Sequence, residues 1–175
     1  MIYIETARLL LRKWKEEDLQ PFAEMNRDPD VMKYFLKSLT EEESLVFYNR
    51  IQDEFSDYGY GLYAVEKKSD GAFLGYTGFH HISFETDFTP GVEIGWRLKR
   101  EDWNNGYATE AAKACLLYAK EHRLFKTIWS FTSFLNKASE RVMQKIGMMK
   151  EKEFLHPVVP DDHPLKQHVL YRIQL

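Results

Sequence analysis

The 175-residue chain contains one cysteine, Cys115. An internal disulfide is therefore excluded, and the composition fits a reducing, cytoplasmic setting. No stretch of about 18 apolar residues occurs, so no membrane-spanning helix is expected. The opening Met1-Ile2-Tyr3-Ile4-Glu5 lacks the basic start and apolar core of a secretory signal. Neither sign of charge dominates: 24 Lys and Arg stand against 27 Asp and Glu, a net −3. That balance gives no general attraction to nucleic acid or anionic membrane, and neither is an expected partner. No Gly-Lys-Ser/Thr follows a glycine loop, which argues against a nucleotide triphosphatase. The histidines have no recognised ligand spacing, and the neighbours His80 and His81 face opposite ways on a strand, so no metal is expected. Repeats, low-complexity tracts and linkers are also missing. One domain spanning 1–175 is the expectation, either as a monomer or as a homodimer.

What is present is a globular composition, 44% hydrophobic and 29% charged. Arg8 to Trp14 is short and apolar and reads as a first strand. Acidic Glu16-Glu17-Asp18 precede a helix through Leu19, Phe22, Ala23 and Asn26. Asp28-Pro29-Asp30 ends it and predicts a short second helix to Tyr34. Thr40 and Glu43 have capping-box spacing. The helix they open should run to about Asp57 and bury Leu45, Tyr48, Ile51 or Gln52, and Phe55. Leu62–Glu66 and Phe73–Phe79 read as a hairpin around Ser69-Asp70-Gly71, with Gly75 and Gly78 marking close backbone approach or a bulge. Val92–Leu98 is the next strand.

A helix then carries Ala108, Ala111, Ala112, Cys115 and Ala119 as an apolar stripe of small residues. This placement makes Cys115 a core residue rather than a nucleophile. Lys126–Thr132 is a strand, and Asn136–Ile146 a helix with Ala138, Val142 and Ile146 on one face, stopped by Gly147. Met149–Leu155 and His168–Ile173 close the chain as strands. The order predicts one α/β (α+β) domain with a mixed, largely antiparallel sheet and helices on both faces.

The chain is organised around Glu93-Ile94-Gly95-Trp96-Arg97-Leu98 and Trp103-Asn104-Asn105-Gly106-Tyr107-Ala108-Thr109-Glu110-Ala111. A strand, a turn tolerant of unusual backbone angles, and a helix start follow one another. The helix start directs unpaired N–H groups and about half a positive charge at the turn, which suits a phosphate. The pattern alone is equally compatible with an ordinary strand–helix turn. Its wording resembles the acyl-CoA pyrophosphate loop of the GNAT acetyltransferases, in particular the RimJ/RimL branch. Asn136-Lys137-Ala138-Ser139 with Lys145-Ile146-Gly147-Met148 resembles that branch's second signature, and Glu5 to Arg12 its first strand.

The resemblance implies a GNAT fold in which the fourth and fifth strands splay apart to admit the pantetheine arm of acetyl-CoA. It implies pyrophosphate on the backbone of Asn104, Asn105, Gly106, Tyr107, Ala108 and Thr109, and pantetheine on the backbone of Trp96, Arg97 and Leu98. Trp103 replaces the Gln or Arg of many relatives, and its side chain reads as packing. Asn136 reads either as a pantetheine contact or as a helix N-cap. Ser139 is the candidate general acid for the thiolate, or a capping hydroxyl. A backbone N–H near Arg97 or Leu98 would meet the oxyanion, a contribution of about 3 kcal/mol.

Glu93, beside the expected acetyl group, is the candidate base, with Glu151 and Glu153 behind it; the alternative for Glu93 is a surface carboxylate. At pH 7 a peptide α-amine costs about 1 kcal/mol to neutralise and a lysine about 4.6. The expected acceptor is an amine, either a protein N-terminus or a small molecule. Tyr34, Phe35, Phe79 and the Asp161-Asp162 loop are candidate acceptor walls. The rival readings are a non-catalytic acyl-CoA-binding module and a transferase of another acyl group.

Overall fold

Strands β1 (Ile2–Glu5) and β2 (Leu9–Arg12) open the chain as an antiparallel hairpin. The computed structural model describes residues 1–175. The expected first strand is thus the second. Ile2 to Glu5 is too short to carry a pattern by itself, and it is recruited by pairing with β2. Then come α1 (Leu19–Arg27), α2 (Glu41–Tyr58), β3 (Leu62–Lys67), β4 (Phe73–His81) and β5 (Val92–Leu98). Helix α3 (Tyr107–Glu121), β6 (Thr127–Ser133), α4 (Lys137–Lys145), β7 (Met149–Leu155) and β8 (Gln167–Gln174) complete the domain. One eight-stranded sheet has the order β1-β2-β3-β4-β5-β6-β8-β7. Only β5 and β6 are parallel neighbours, with α3 as their crossover, as parallel strands require.

Alternation along the strands splits the core in two. Tyr63 and Val65 face α3 and α4 with Leu9, Leu11, Ala111, Ala112 and Cys115. Leu62 and Ala64 face α1 and α2 with Trp14, Phe22, Met25, Ile51 and Tyr76. Small residues on α3 let it lie close against the sheet. Helix α1 is tied down at its start by Asp18, whose carboxylate takes two hydrogen bonds from the buried Arg12 guanidinium, at 2.7 and 2.8 Å.

The Thr40–Glu43 capping box forms: Glu43 N donates to Thr40 Oγ1 at 3.1 Å, and Thr40 N to Glu43 Oε2 at 2.9 Å. Gly59 ends α2 in the left-handed region, φ 75°. Leu45 is 48% exposed, against expectation. The inward line of α2 runs through Ser44, Tyr48, Ile51 and Phe55 at i, i+4, i+7 and i+11, and Leu45 lies one position off it. The expected helix at Asp28 to Tyr34 is instead a run of turns, opened by Asp30 N donating to Asp28 Oδ1 at 2.8 Å. That local bond competes with helical pairing. On α4 the most buried side chain is Met143 rather than Ala138 or Val142.

Candidate active site

The expected splay falls between β5 and β6, the extra strand β1 having shifted the count by one. Glu93 and Trp129 are the single register pair between them. Ser130 Oγ also donates to the Ile94 carbonyl at 2.9 Å. Beyond that point the strands part. A cleft of about 980 Å³ opens there and runs from Asp30, Tyr34 and Phe35 past Glu93–Leu98 to the starts of α3 and α4.

The start of α3 is bare. Asn104 (φ 60°) and Gly106 (φ 78°) both take the left-handed conformation, and no side chain caps the helix. The first helical bond is from Glu110 N to the Gly106 carbonyl, 3.0 Å. The N–H groups of Tyr107, Ala108 and Thr109 therefore have no partner within the helix. A turn that served only to connect would more economically place a Ser, Thr or Asp cap there. The one side chain able to do so, Asn105, instead donates its Nδ2 to the carbonyls of Asp102 and Trp103, bracing the loop. Trp103 Nε1 donates to the Leu98 carbonyl at 2.9 Å, so its indole ties this loop to β5. An anionic diphosphate fits such an unpaired, half-positive helix end.

Strand β5 pairs with β4 through Lys99 N to Leu74 O at one end and Ile82 N to Gly91 O at the other. Antiparallel alternation then commits the main-chain groups of Glu93, Gly95 and Arg97 to β4. The N–H groups of Trp96 and Leu98 point into the gap. Arg97 thus contributes its side chain to the cleft, while its neighbours supply the backbone donors.

Across the gap, Asn136 is the N-cap of α4. Its Oδ1 accepts from Ser139 N at 3.2 Å, and its Nδ2 donates to Thr132 Oγ1 at 3.0 Å and Ser139 Oγ at 3.1 Å. The amide is occupied by capping. Because Ser139 Oγ accepts that bond, its own proton is free for a group in the cleft, where Ser139 is half-buried.

Glu93 lines the cleft half-buried, and burial pushes its carboxyl up to about 7; the charge of His80 opposes this and that of Glu54 adds to it. His80 is its cross-strand partner, so the two side chains stand side by side on one face. His80 Nδ1 lies 2.8 and 3.0 Å from the two carboxylate oxygens of Glu54 on α2. A carboxylate only accepts, so Nδ1 carries the proton. Burial works to lower the His80 pKa, but the bond to Glu54 and the charges of Glu93 and Glu54 leave it raised. Removing that acceptor with Glu54→Gln is expected to drop the His80 pKa below the usual imidazole value of about 6.5, read by NMR titration of the ring. An unchanged or higher value would rule out Glu54 as the cause.

Other expected residues fall elsewhere. Phe79 is fully buried against Tyr60 and Phe125 and walls nothing. Asp161 is wholly exposed and pairs with Lys166, and its loop lies outside the cleft. Glu151 pairs with Arg172, and Glu153 with Lys150. Tyr34 and Phe35 do line the cleft. Cys115 is buried, which pushes its thiol up and leaves it unreactive.

A family model described as an acetyltransferase (GNAT) domain matches residues 8–149. The chain belongs to the GNAT acetyltransferase family. As an enzyme it is an acetyl-CoA-dependent acetyltransferase. It is similar to the uncharacterised N-acetyltransferase YnaD of Bacillus subtilis, 32% identical over 154 residues, covering 87% of this chain and 86% of that one. A solved GNAT-family acetyltransferase from Bacillus anthracis superposes with TM-score 0.81 at 31% identity, over 99% and 98% of the two chains. RimL, a ribosomal L7/L12 alpha-N-protein acetyltransferase solved with coenzyme A, superposes with TM-score 0.82, over 100% of this chain and 98% of that one. At 14% identity that likeness concerns the fold.

In this acetyltransferase the cleft is also shaped by contacts that local sequence does not show. His80 and Glu54 come together from positions 26 apart. Arg141 and Lys145 lie one turn apart on α4 and line the cofactor side. Their i, i+4 spacing was the available signal. Arg97 is buried beside Asn26 of α1, a contact with no local signature.

Proposed function

We propose that this protein transfers acetyl from acetyl-CoA directly to an amine nitrogen, without an acetylated enzyme. The observation that carries the reading is that one cleft joins an uncapped helix start to a half-buried carboxyl whose pKa lies near 7. The name of the B. subtilis relative, an N-acetyltransferase, supports nitrogen as the acceptor. Asn104, Asn105, Gly106, Tyr107, Ala108 and Thr109 form the diphosphate cradle. Trp96 and Leu98 offer backbone donors to the pantetheine arm, and Asn136 orders the opposite wall.

When bound, acetyl-CoA supplies an acetyl thioester. Glu93 takes the proton that the attacking amine must lose, and a carboxylate with pKa near 7 is matched to that task at neutral pH. The free N–H of Trp96 or Leu98 meets the charge developing on the carbonyl oxygen. The Ser139 hydroxyl gives its proton to the departing sulfur and is reprotonated from solvent. The single thiol, Cys115, is buried and does not line the cleft, which suits direct transfer.

The acceptor is a protein N-terminus or a small amine, as in a RimJ/RimL-like branch acting in the cytoplasm through a domain spanning 1–175. Thiol release from acetyl-CoA, with and without an amine panel, tests the reading. Ser139→Ala is expected to lower the amine-dependent rate by about a hundredfold. A change under threefold would remove Ser139 as the acid.

A further inference from the structure

Gly78 of β4 and Gly95 of β5 are cross-strand partners. A Cβ placed on Gly95 would have nothing within 4 Å. Gly95 leaves a bare slot on the face of the sheet that looks toward α1 and α2, while Gly78 lets β3 approach closely, a Cβ there lying 2.2 Å from the Gly61 carbonyl oxygen. At one end stand Glu93 and His80, and at the other Arg97 and Tyr76, each pair directly across the ladder. Four strand steps separate the ends, about 13 Å between Cα atoms. Phe35, Phe47 and Arg50 wall the slot.

Arg97 is an unusual end-piece. It is 8% exposed and enters no ion pair, whereas the other buried arginine, Arg12, has both Asp18 and Glu66. Its Nη1 donates to Asn26 Oδ1 at 2.6 Å, and its Nε is buried with no partner. Asn26 is itself held by Ser44 Oγ, 3.1 Å from its Nδ2. Phe35, Tyr76 and Phe47 surround the guanidinium at 4.3, 5.4 and 5.7 Å. A buried cation without a counter-ion is costly to keep. Held rigidly at a cavity wall, it is a receptor for a carboxylate, which guanidinium binds through paired hydrogen bonds.

We infer that the acceptor carries a carboxylate, seated on Arg97 while its amine meets Glu93: an amino acid or short peptide with a free carboxyl group. This rests on the transfer reading above and narrows its substrate class. The same chemistry could come from the acyl group, as in a succinyl thioester. Arg97 shares its face with Glu93 and Gly95, however, while the free Trp96 and Leu98 donors that serve the thioester point into the gap.

The test uses matched pairs. N-acetylated amino acids and dipeptides, and their carboxamides, are titrated by calorimetry into the CoA-saturated protein, and the corresponding free amines are assayed with acetyl-CoA and with succinyl-CoA. Carboxylates are expected to outbind their carboxamides by about 30-fold or more. Arg97→Lys should keep part of that ratio, and Arg97→Met should bring it close to one. Equal binding of the wild-type pairs overturns the inference, and so does a preference that survives in Arg97→Met. An Arg97-dependent preference for succinyl-CoA with no acceptor preference also overturns it and assigns the carboxylate to the acyl group. The wild-type comparison holds even if a variant fails to fold. Absence of turnover with every amine counts against the transfer reading, while the binding ratio decides the carboxylate separately.

Discussion

Replacing Glu93 with glutamine is expected to lower kcat/KM for amine acetylation by about a thousandfold and to flatten its pH dependence. The magnitude follows from the usual worth of a positioned general base, about a hundredfold to ten-thousandfold. The sign follows from the active form. Glu93 must be ionised to take a proton, and burial holds its pKa at about 7. Wild-type activity should therefore rise as pH passes from below 7 to above it. The amine's own deprotonation adds a second rising limb, which alone remains in Glu93→Gln.

Stability has the opposite sign. The folded pKa is raised above the unfolded value of about 4.3, so the fold favours the neutral carboxyl. Wild type loses that contribution as pH climbs from about 4.3 to about 7. Glu93→Gln should then be no less stable than wild type at pH 8, and a loss of activity there cannot be blamed on unfolding. Rates from pH 6 to 9, with melting temperatures, check both. A variant as fast as wild type with the same profile would remove Glu93 as the base.

The second large effect is structural. Gly75 of β4 has φ 141°, and a Cβ there would lie 2.1 Å from the Arg97 carbonyl oxygen and 2.8 Å from Leu98 Cα. Both are backbone atoms of β5, so no side chain can yield. Gly75→Ala must strain its own backbone and push β5 aside, at a combined cost of about 3 kcal/mol or more. For a domain of this size that is a fall in melting temperature of about 6–12 °C. Acetyl-CoA affinity should fall with it, because Trp96 and Leu98 ride on the displaced strand. Gly95→Ala is the control: its Cβ meets nothing within 4 Å and its φ lies outside the left-handed region. Its melting temperature should stay close to wild type. Equal melting temperatures for the two variants would refute the close-approach account of Gly75.

What was legible in the sequence is what local physics decides. The turn at Asn104–Gly106 and the uncapped helix start that follows are contiguous, and so are readable side by side. The Thr40–Glu43 cap and the small-residue face of α3 are equally local. The pairing of His80 with Glu54 and Glu93 was not legible, because it depends on the register of β4 against β5. A slip of one residue would set His81 opposite Glu93 instead. Adjacent histidines on a strand face opposite ways, which leaves one of them able to join a carboxylate pair. Arg97 read as a backbone contact because its worth lies in what surrounds it: Asn26 from α1, Phe35 from the following loop and Phe47 from α2. Phe79 misled for the same reason. Its type suits a pocket wall, but alternation turns it into the core on the α3 side, opposite to His80.

The most direct test of the account follows the label from acetyl-labelled acetyl-CoA incubated with the protein, with and without an amine acceptor at pH 8. The account predicts labelled N-acetyl product in step with thiol release, dependent on acceptor, and no label on the protein. Label retained on the protein, or thiol release indifferent to any amine, would contradict direct transfer from a cradle at Gly106 to an amine held by Glu93.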